Sequence, residues 1–261
     1  MMVPALFLAH GSPMIAIQDT PYTGFLADLG RKLQPKAIVI FTAHWESEVL
    51  TISAGDGTYD TIYDFGGFPE EMYRIQYPAK RSDTEAAAVA ERLTATGIKV
   101  NKDMERGLDH GSWTLLRRMY PDADIPVVQV SVHPFLPPAE QYKIGEALRD
   151  LGGEDILVIG SGVTVHNLRA LNWSAPQFGE PEPWAVEFDD WLIEKMTERD
   201  YEALFHYESE APHARHAVPR EEHFVPLFIA LGAGSGDEAR KPDVIYRGYE
   251  LGALSYLSLA F

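Results

Sequence analysis

The feature that most constrains this chain is an alternation of two apolar patterns. Short runs rich in β-branched residues, Val3–Ala9, Ala37–Ala43, Val127–Val132 and Ile156–Ile159, read as buried strands. Segments with helical signatures lie between them. Thr20-Pro21 pairs an N-cap residue with proline at the first helical position, and Phe25, Leu26, Leu29 and Leu33 then mark one helix face. Ser82 and Glu85 have capping-box spacing and open an alanine-rich helix reaching Thr96. Further helices are predicted over Pro138–Leu151, Pro183–Arg199 and Arg220–Leu231, with closing strands over Val244–Tyr249 and Leu254–Leu259. Strands alternating with helices predict an α/β fold around a mostly parallel central sheet. No repeat, low-complexity tract or linker divides the pattern, so residues 1–261 read as one domain. Thr58–Pro69 is a long loop rich in Gly, Tyr and Phe, and loops of that length are often functional.

Composition narrows the function. A chain of 261 residues buries about 73% of its unfolded surface, enough for a core without staples. Lys and Arg number 22 against 39 Asp and Glu, a net charge of −17. That balance argues against nucleic acid or an anionic membrane as the partner. The absence of cysteine excludes disulfides, thiolate metal sites and Cys nucleophiles. No apolar run reaches the ~18 residues of a membrane helix. No Lys or Arg precedes Arg31, so a secretory signal is not expected, and the expected location is the cytoplasm. No feature sets an oligomeric state.

The nine histidines carry the chemistry. His10 directly follows the first strand run, His44 the second, and His166 lies beyond Ile159 and the segment Gly160-Ser161-Gly162. Ligands of open α/β sheets bind outside the carboxyl ends of the strands, so these three are expected in one crevice. A single histidine at a strand end is usually structural, and the joint pattern is what singles them out. His133 also follows a strand. His110 precedes a helical pattern, and position alone leaves His223 ambiguous. His206 reads as a surface or packing residue. His213 and His216 have helical metal-pair spacing, but Pro212 and Pro219 bracket them and favour a loop. Gly160-Ser161-Gly162 lacks the last glycine of a dinucleotide loop and the lysine of a phosphate loop. With Ile159 before it, it is no nucleophile elbow either, so it reads as a tight turn that aims His166. Imidazoles without thiolates suit Zn, Cu, Fe or Ni, and a cysteine-free site points to catalysis. The residues alone leave a zinc hydrolase and a non-haem iron oxygenase both open.

Seven segments decide between them. They are His10-Gly11-Ser12-Pro13-Met14, Thr42-Ala43-His44-Trp45-Glu46, Tyr63-Asp64-Phe65-Gly66-Gly67-Phe68-Pro69 and Tyr73-Arg74-Ile75-Gln76-Tyr77-Pro78-Ala79. Gly107-Leu108-Asp109-His110-Gly111-Ser112-Trp113, Gly160 to Leu168, and Pro219 to Leu227 complete the set. In this order they resemble the class III extradiol ring-cleaving dioxygenases, in their 4,5-DOPA dioxygenase-like branch. The resemblance spans residues 10 to 227. One departure is Val218, where relatives often carry histidine.

The resemblance implies an α/β sheet with helices on both sides and one divalent metal. It places His10, His44 and His223 as ligands, His166 as an acid–base group or a further ligand, and His110 facing substrate and oxygen. Protocatechuate-cleaving relatives use Glu as the third ligand. His223 stands at that position, and the adjacent Glu222 would point about 100° away on a helix. His133 has no counterpart and reads as structural. The implied activity is ring opening of a catechol with O₂. Fe(II) is expected for activity, and zinc is able to occupy the site by availability. Ser12, Tyr63, Phe65 and Phe68 are the expected pocket walls. Two other readings, a zinc hydrolase and a non-catalytic binding protein on the same fold, compete; the five histidines together weigh against the second.

Overall fold

Alternate side chains of the apolar runs point to opposite faces of one sheet, and helices cover both faces. The computed structural model describes residues 3–236 and 241–261. Its strands are β1 (Leu6–Ala9), β2 (Ala37–Glu46), β3 (Leu50–Ser53), β4 (Val100–Asp103), β5 (Val127–Val132), β6 (Ile156–Gly162), β7 (Asp243–Tyr246), β8 (Tyr249–Glu250), β9 (Leu254–Ser255) and β10 (Ser258–Ala260). Eight of them form one sheet in the order β4-β3-β5-β2-β6-β1-β10-β7, and β8 pairs with β9 separately. The central strands β5, β2, β6 and β1 are mutually parallel. On the flanks, β3 runs antiparallel to β5, and β10 antiparallel to β1 and β7.

The helices are α1 (Pro21–Lys32), α2 (Asp83–Ala95), α3 (His110–Met119), α4 (Pro138–Glu146), α5 (Pro183–Glu198), α6 (Tyr201–Phe205), α7 (Tyr207–Glu210), α8 (Ala214–Ala217) and α9 (Val225–Ala233). Val39, Phe41, Val128 and Val158 face one layer, with Val89 of α2, Phe188 and Leu192 of α5 and Phe228 of α9. Ile38, Ile40, Leu157 and Ile159 face the other, with Leu26 of α1 and Trp113 and Leu116 of α3. Burial on both faces is why these strands read as continuous apolar runs. Each fully buried Leu or Ile contributes about 1.5–3 kcal/mol.

The predicted elements hold with shifted ends. Thr20 caps α1 in a reciprocal bond with Thr23. The Ser82 hydroxyl instead bonds the Glu85 carboxylate and makes no cap bond to the backbone. The predicted 138–151 helix stops at Glu146, and a 3₁₀ stretch follows at Arg149–Glu154. The predicted 220–231 helix opens as a 3₁₀ turn, Glu221–His223, before α9 starts at Val225 with Pro226 in its first turn. The run Val244–Tyr249 splits into β7 and β8, and Leu254–Leu259 into β9 and β10. β2 runs on to Glu46, so His44 sits inside the strand rather than after it. Gly160-Ser161-Gly162 is strand, not a turn. No helix among the described residues is long and apolar enough to cross a membrane.

Candidate metal centre

Strand order brings the first histidines together. β1 and β2 flank β6, so His10 at the end of β1 and His44 near the end of β2 stand on either side of Ser161. The 3₁₀ turn Glu221–His223 approaches the same end, and its His223 carbonyl accepts from Val163 N at 2.8 Å. Gly162 makes room for it: a Cβ there would stand 2.2 Å from the His223 carbonyl oxygen. That close approach, rather than a turn, is what the glycines of this segment supply.

Three imidazole nitrogens then converge. His44 Nε2 lies 3.2 Å from His10 Nε2 and 3.2 Å from His223 Nε2. Each ring is gripped from behind at Nδ1. The Ser161 hydroxyl donates to the Gly111 carbonyl, so its oxygen accepts from His10 Nδ1, at 3.0 Å. His44 Nδ1 stands 3.1 Å from Asp64 Oδ2, and His223 Nδ1 stands 3.0 Å from Glu222 Oε1. With Ser161 and Glu222 taking the Nδ1 protons of His10 and His223, and the Asp64 carboxylate favouring the proton of His44 at Nδ1, three Nε2 lone pairs face one another. Alone they repel; around a cation they become ligands. Metal–nitrogen bonds of about 2.1 Å separated by 90–109° put nitrogens about 3.0–3.4 Å apart, so the trio fits one ion. Burial, reinforced by the neighbouring imidazoles, pushes His10 and His223 well below the usual imidazole range. They are therefore neutral, the form that ligates metal.

His110 opens α3 beside this trio, its ring centroid 3.9 Å from that of His44. Its backbone N–H donates to Asp64 Oδ1 at 2.9 Å, and its Nδ1 lies 3.0 Å from the same oxygen in a contact too bent for a hydrogen bond. Burial pushes the Asp64 carboxyl up, but its contacts with His110 and His44 outweigh this and hold it below the usual carboxylate range. Asp64 lies in a quoted segment without a role of its own; its partners are set by tertiary structure, so no local pattern marks it. The same holds for Glu222 and Ser161.

His166 is stacked on His223, with centroids 3.7 Å apart and planes 11° from parallel. Burial lowers its pKa to about 4. Its nitrogens group with Glu222 and His223, not with His10 and His44. The remaining histidines lie elsewhere. His133 lines a different cavity with Glu48 and Lys143. His206 contacts Glu202, and His213 pairs with Glu187 at 2.7 Å. His213 and His216 do not share a loop; His213 caps the one-turn helix α8, which contains His216, and His216 packs on Trp184.

A cavity of about 650 Å³ opens over the centre. His10, His44, His110, His166 and His223 line it, as do Ser12, Phe65 and Phe68. Tyr63 does not: it stands behind Phe65 and donates to the Ile75 carbonyl at 2.6 Å. Its hydroxyl is used to hold the loop, so its place in the pocket wall is corrected to one layer back. Leu168, Leu171 and Trp173 form an unforeseen wall, and Glu250, Leu251 and Leu254 another. Neither stretch carries a periodicity that points to a site.

A cluster of imidazoles at the strand ends of an α/β sheet, under an aromatic-walled cavity, is the arrangement of a metal-dependent enzyme. Residues 4–257 match the family described as the catalytic LigB subunit of aromatic ring-opening dioxygenase, and the chain belongs to that family. It is similar to the 4,5-DOPA dioxygenase extradiol of Beta vulgaris, at 42% identity over 98% of this chain and 95% of that one. It is similar to the Escherichia coli K12 protein of the same description at 39% identity, over 98% and 94% of the two chains. The crystal structure of an uncharacterised Escherichia coli K12 protein shares the fold, with a TM-score of 0.83 at 35% identity over 100% of both chains. The chain is a metal-dependent extradiol dioxygenase.

Proposed function

We propose that the chain, acting as one catalytic domain, opens the ring of DOPA or a related substituted catechol. One Fe(II) would be held by the Nε2 atoms of His10, His44 and His223. The observation that carries this reading is the convergence of three Nε2 atoms, those of His10 and His223 each 3.2 Å from that of His44, with a polar partner behind each Nδ1. Fe(II), when bound, supplies Lewis acidity toward catechol oxygens and redox chemistry toward O₂.

The chain's own residues do the rest. Phe65 and Phe68 offer ring faces to a planar substrate, and Leu168, Leu171 and Leu254 exclude water around it. His166, neutral and fixed by its stack on His223, takes the catechol proton at a ring nitrogen. His110, with the Asp64 carboxylate behind its Nδ1, keeps the proton of its neutral ring on that nitrogen and turns its Nε2 lone pair to the oxygen side, where it accepts a proton and returns it. The Phe65 ring, edge-on to His110 at 5.6 Å, keeps that imidazole in place. The acidic, cysteine-free composition supports a reducing cytoplasm as the setting.

The test is anaerobic reconstitution with Fe(II), followed by O₂ uptake on a panel of catechols. Stoichiometric O₂ consumption with ring-opened product is expected, and a zinc-loaded sample is expected to be inactive. An iron-loaded site that consumes no O₂ with any catechol would overturn the reading.

A further inference from the structure

We propose that Glu250 reads the charge of the substrate's side chain, selecting catechols that bear a protonated amine over those whose side chain carries a carboxylate alone. This rests on the catechol reading above and deepens it.

Glu250 ends β8, is 6% exposed, and lines the cavity. Its Oε2 accepts from the Tyr256 hydroxyl at 2.6 Å and its Oε1 from Gln177 Nε2 at 2.7 Å. Both donors are neutral. A carboxylate offers about four acceptor positions, so about half remain open. The other buried carboxylates of the described residues are treated differently. Asp109 has Arg106 at 3.3 Å, and Glu222 has Arg220 at 3.4 Å. Asp189 is met by three hydroxyls, from Thr164, Tyr249 and Ser255, with the Arg247 charge near. Among the described residues Glu250 has no cationic partner within ion-pair distance and faces open space.

A buried charge without a counter-charge is costly, and the cavity is where one can arrive. No lysine or arginine of the described residues lines it. An ammonium group entering the cavity gains a charge-assisted hydrogen bond to Glu250. A carboxylate placed beside Glu250 meets a like charge, with no lysine or arginine of the lining to offset the repulsion. The group is also held in position. The Tyr256 hydroxyl that donates to Glu250 accepts from Ser12 N at 3.3 Å, two residues beyond His10. Gln177, whose backbone carbonyl accepts from Leu251 N at 2.7 Å, fixes the other oxygen. The carboxylate is thus anchored to the same strand end that carries His10, with its geometry set before substrate arrives.

The experiment compares dopamine, dihydrocaffeate and methylcatechol, which place a positive, a negative and no charge beside the same ring. For the Fe(II)-loaded wild type, kcat/KM for dopamine is expected to exceed that for dihydrocaffeate by at least about tenfold. Glu250→Gln is expected to reduce that ratio by about tenfold or more, and Glu250→Asp to retain most of it. Anaerobic calorimetry of dopamine binding gives the same comparison without turnover. A wild-type ratio at or below one, in enzyme active on methylcatechol, overturns the inference without any variant. So does an unchanged ratio in Glu250→Gln. Absence of O₂ uptake on all three probes instead removes the catechol reading on which the inference stands.

Discussion

Asp64 Oδ2 lies 3.1 Å from His44 Nδ1, and this contact decides which nitrogen of His44 faces the cavity. The other oxygen of the same carboxylate accepts the His110 backbone N–H at the start of α3. A loop residue thus orients one imidazole of the converging trio and seats the helix that brings the fourth ring beside it.

Asp64→Asn removes the charge while keeping the shape. Outer partners of a ligating histidine fix its tautomer and raise its basicity, and losing one costs about 10–100-fold in metal affinity. The variant is expected to fold but to lose metal to a chelator at lower concentration than the wild type. Elemental analysis after graded dialysis reads this directly. Wild-type retention would show that His44 needs no carboxylate behind it.

His10→Ala and His110→Ala are expected to separate ligation from proton handling. His10→Ala leaves two nitrogens of the trio and should lose both metal and activity. His110→Ala should keep near-normal metal content and lower turnover by about 10²–10⁴-fold, the range for a positioned acid–base group. Loss of metal from His110→Ala would make His110 a ligand.

The metal-free protein should weaken in mild acid. Burial lowers His166 from 6.5 to about 4, so the unfolded chain takes up its proton first as pH falls. Stability is intact above about pH 6.5, declines through the window down to about pH 4, and loses nothing further from this group below it. The full shift corresponds to about 3 kcal/mol. His10 and His223, also lowered, act in the same direction. Denaturant unfolding at a series of pH values measures the slope, which His166→Gln should reduce.

The parallel core was legible because β2, β5 and β6 are buried on both faces and therefore read as unbroken apolar runs. The edge strand β4 and its neighbour β3 were not: each has four residues, and Asn101 and Lys102 of β4 are exposed. His10 and His44 could be placed from strand ends alone, whereas His223 needed the family resemblance, since a 3₁₀ turn before a proline carries no strand-end signal. The residues behind the imidazoles were out of reach. Ser161 was hidden in an apparent turn, and Asp64 and Glu250 act through partners distant in sequence. Only the packing of separate elements reveals what each carboxylate faces.

Gly162 links fold and centre and provides the sharpest packing test. A Cβ on it would lie 2.2 Å from the His223 carbonyl oxygen and 3.1 Å from the Phe7 ring. The first distance is far below any tolerated contact, and the atom met is backbone rather than the end of a flexible side chain that could yield. Gly162→Ala must therefore push the Glu221–His223 turn away from β6, breaking the Val163 N–H bond to His223 and withdrawing Nε2 from the trio. Overpacking of this kind costs about 1–3 kcal/mol. Gly24→Ala is the control, because nothing lies within 4 Å of its Cβ position inside α1. Replacing an exposed helical glycine by alanine stabilises by up to about 1 kcal/mol. The expected result is a lower melting temperature and reduced metal content for Gly162→Ala, against an equal or higher melting temperature and full metal content for Gly24→Ala. If Gly162→Ala melts with the wild type and retains its metal, the close approach of the His223 turn to β6 is not what positions the third imidazole.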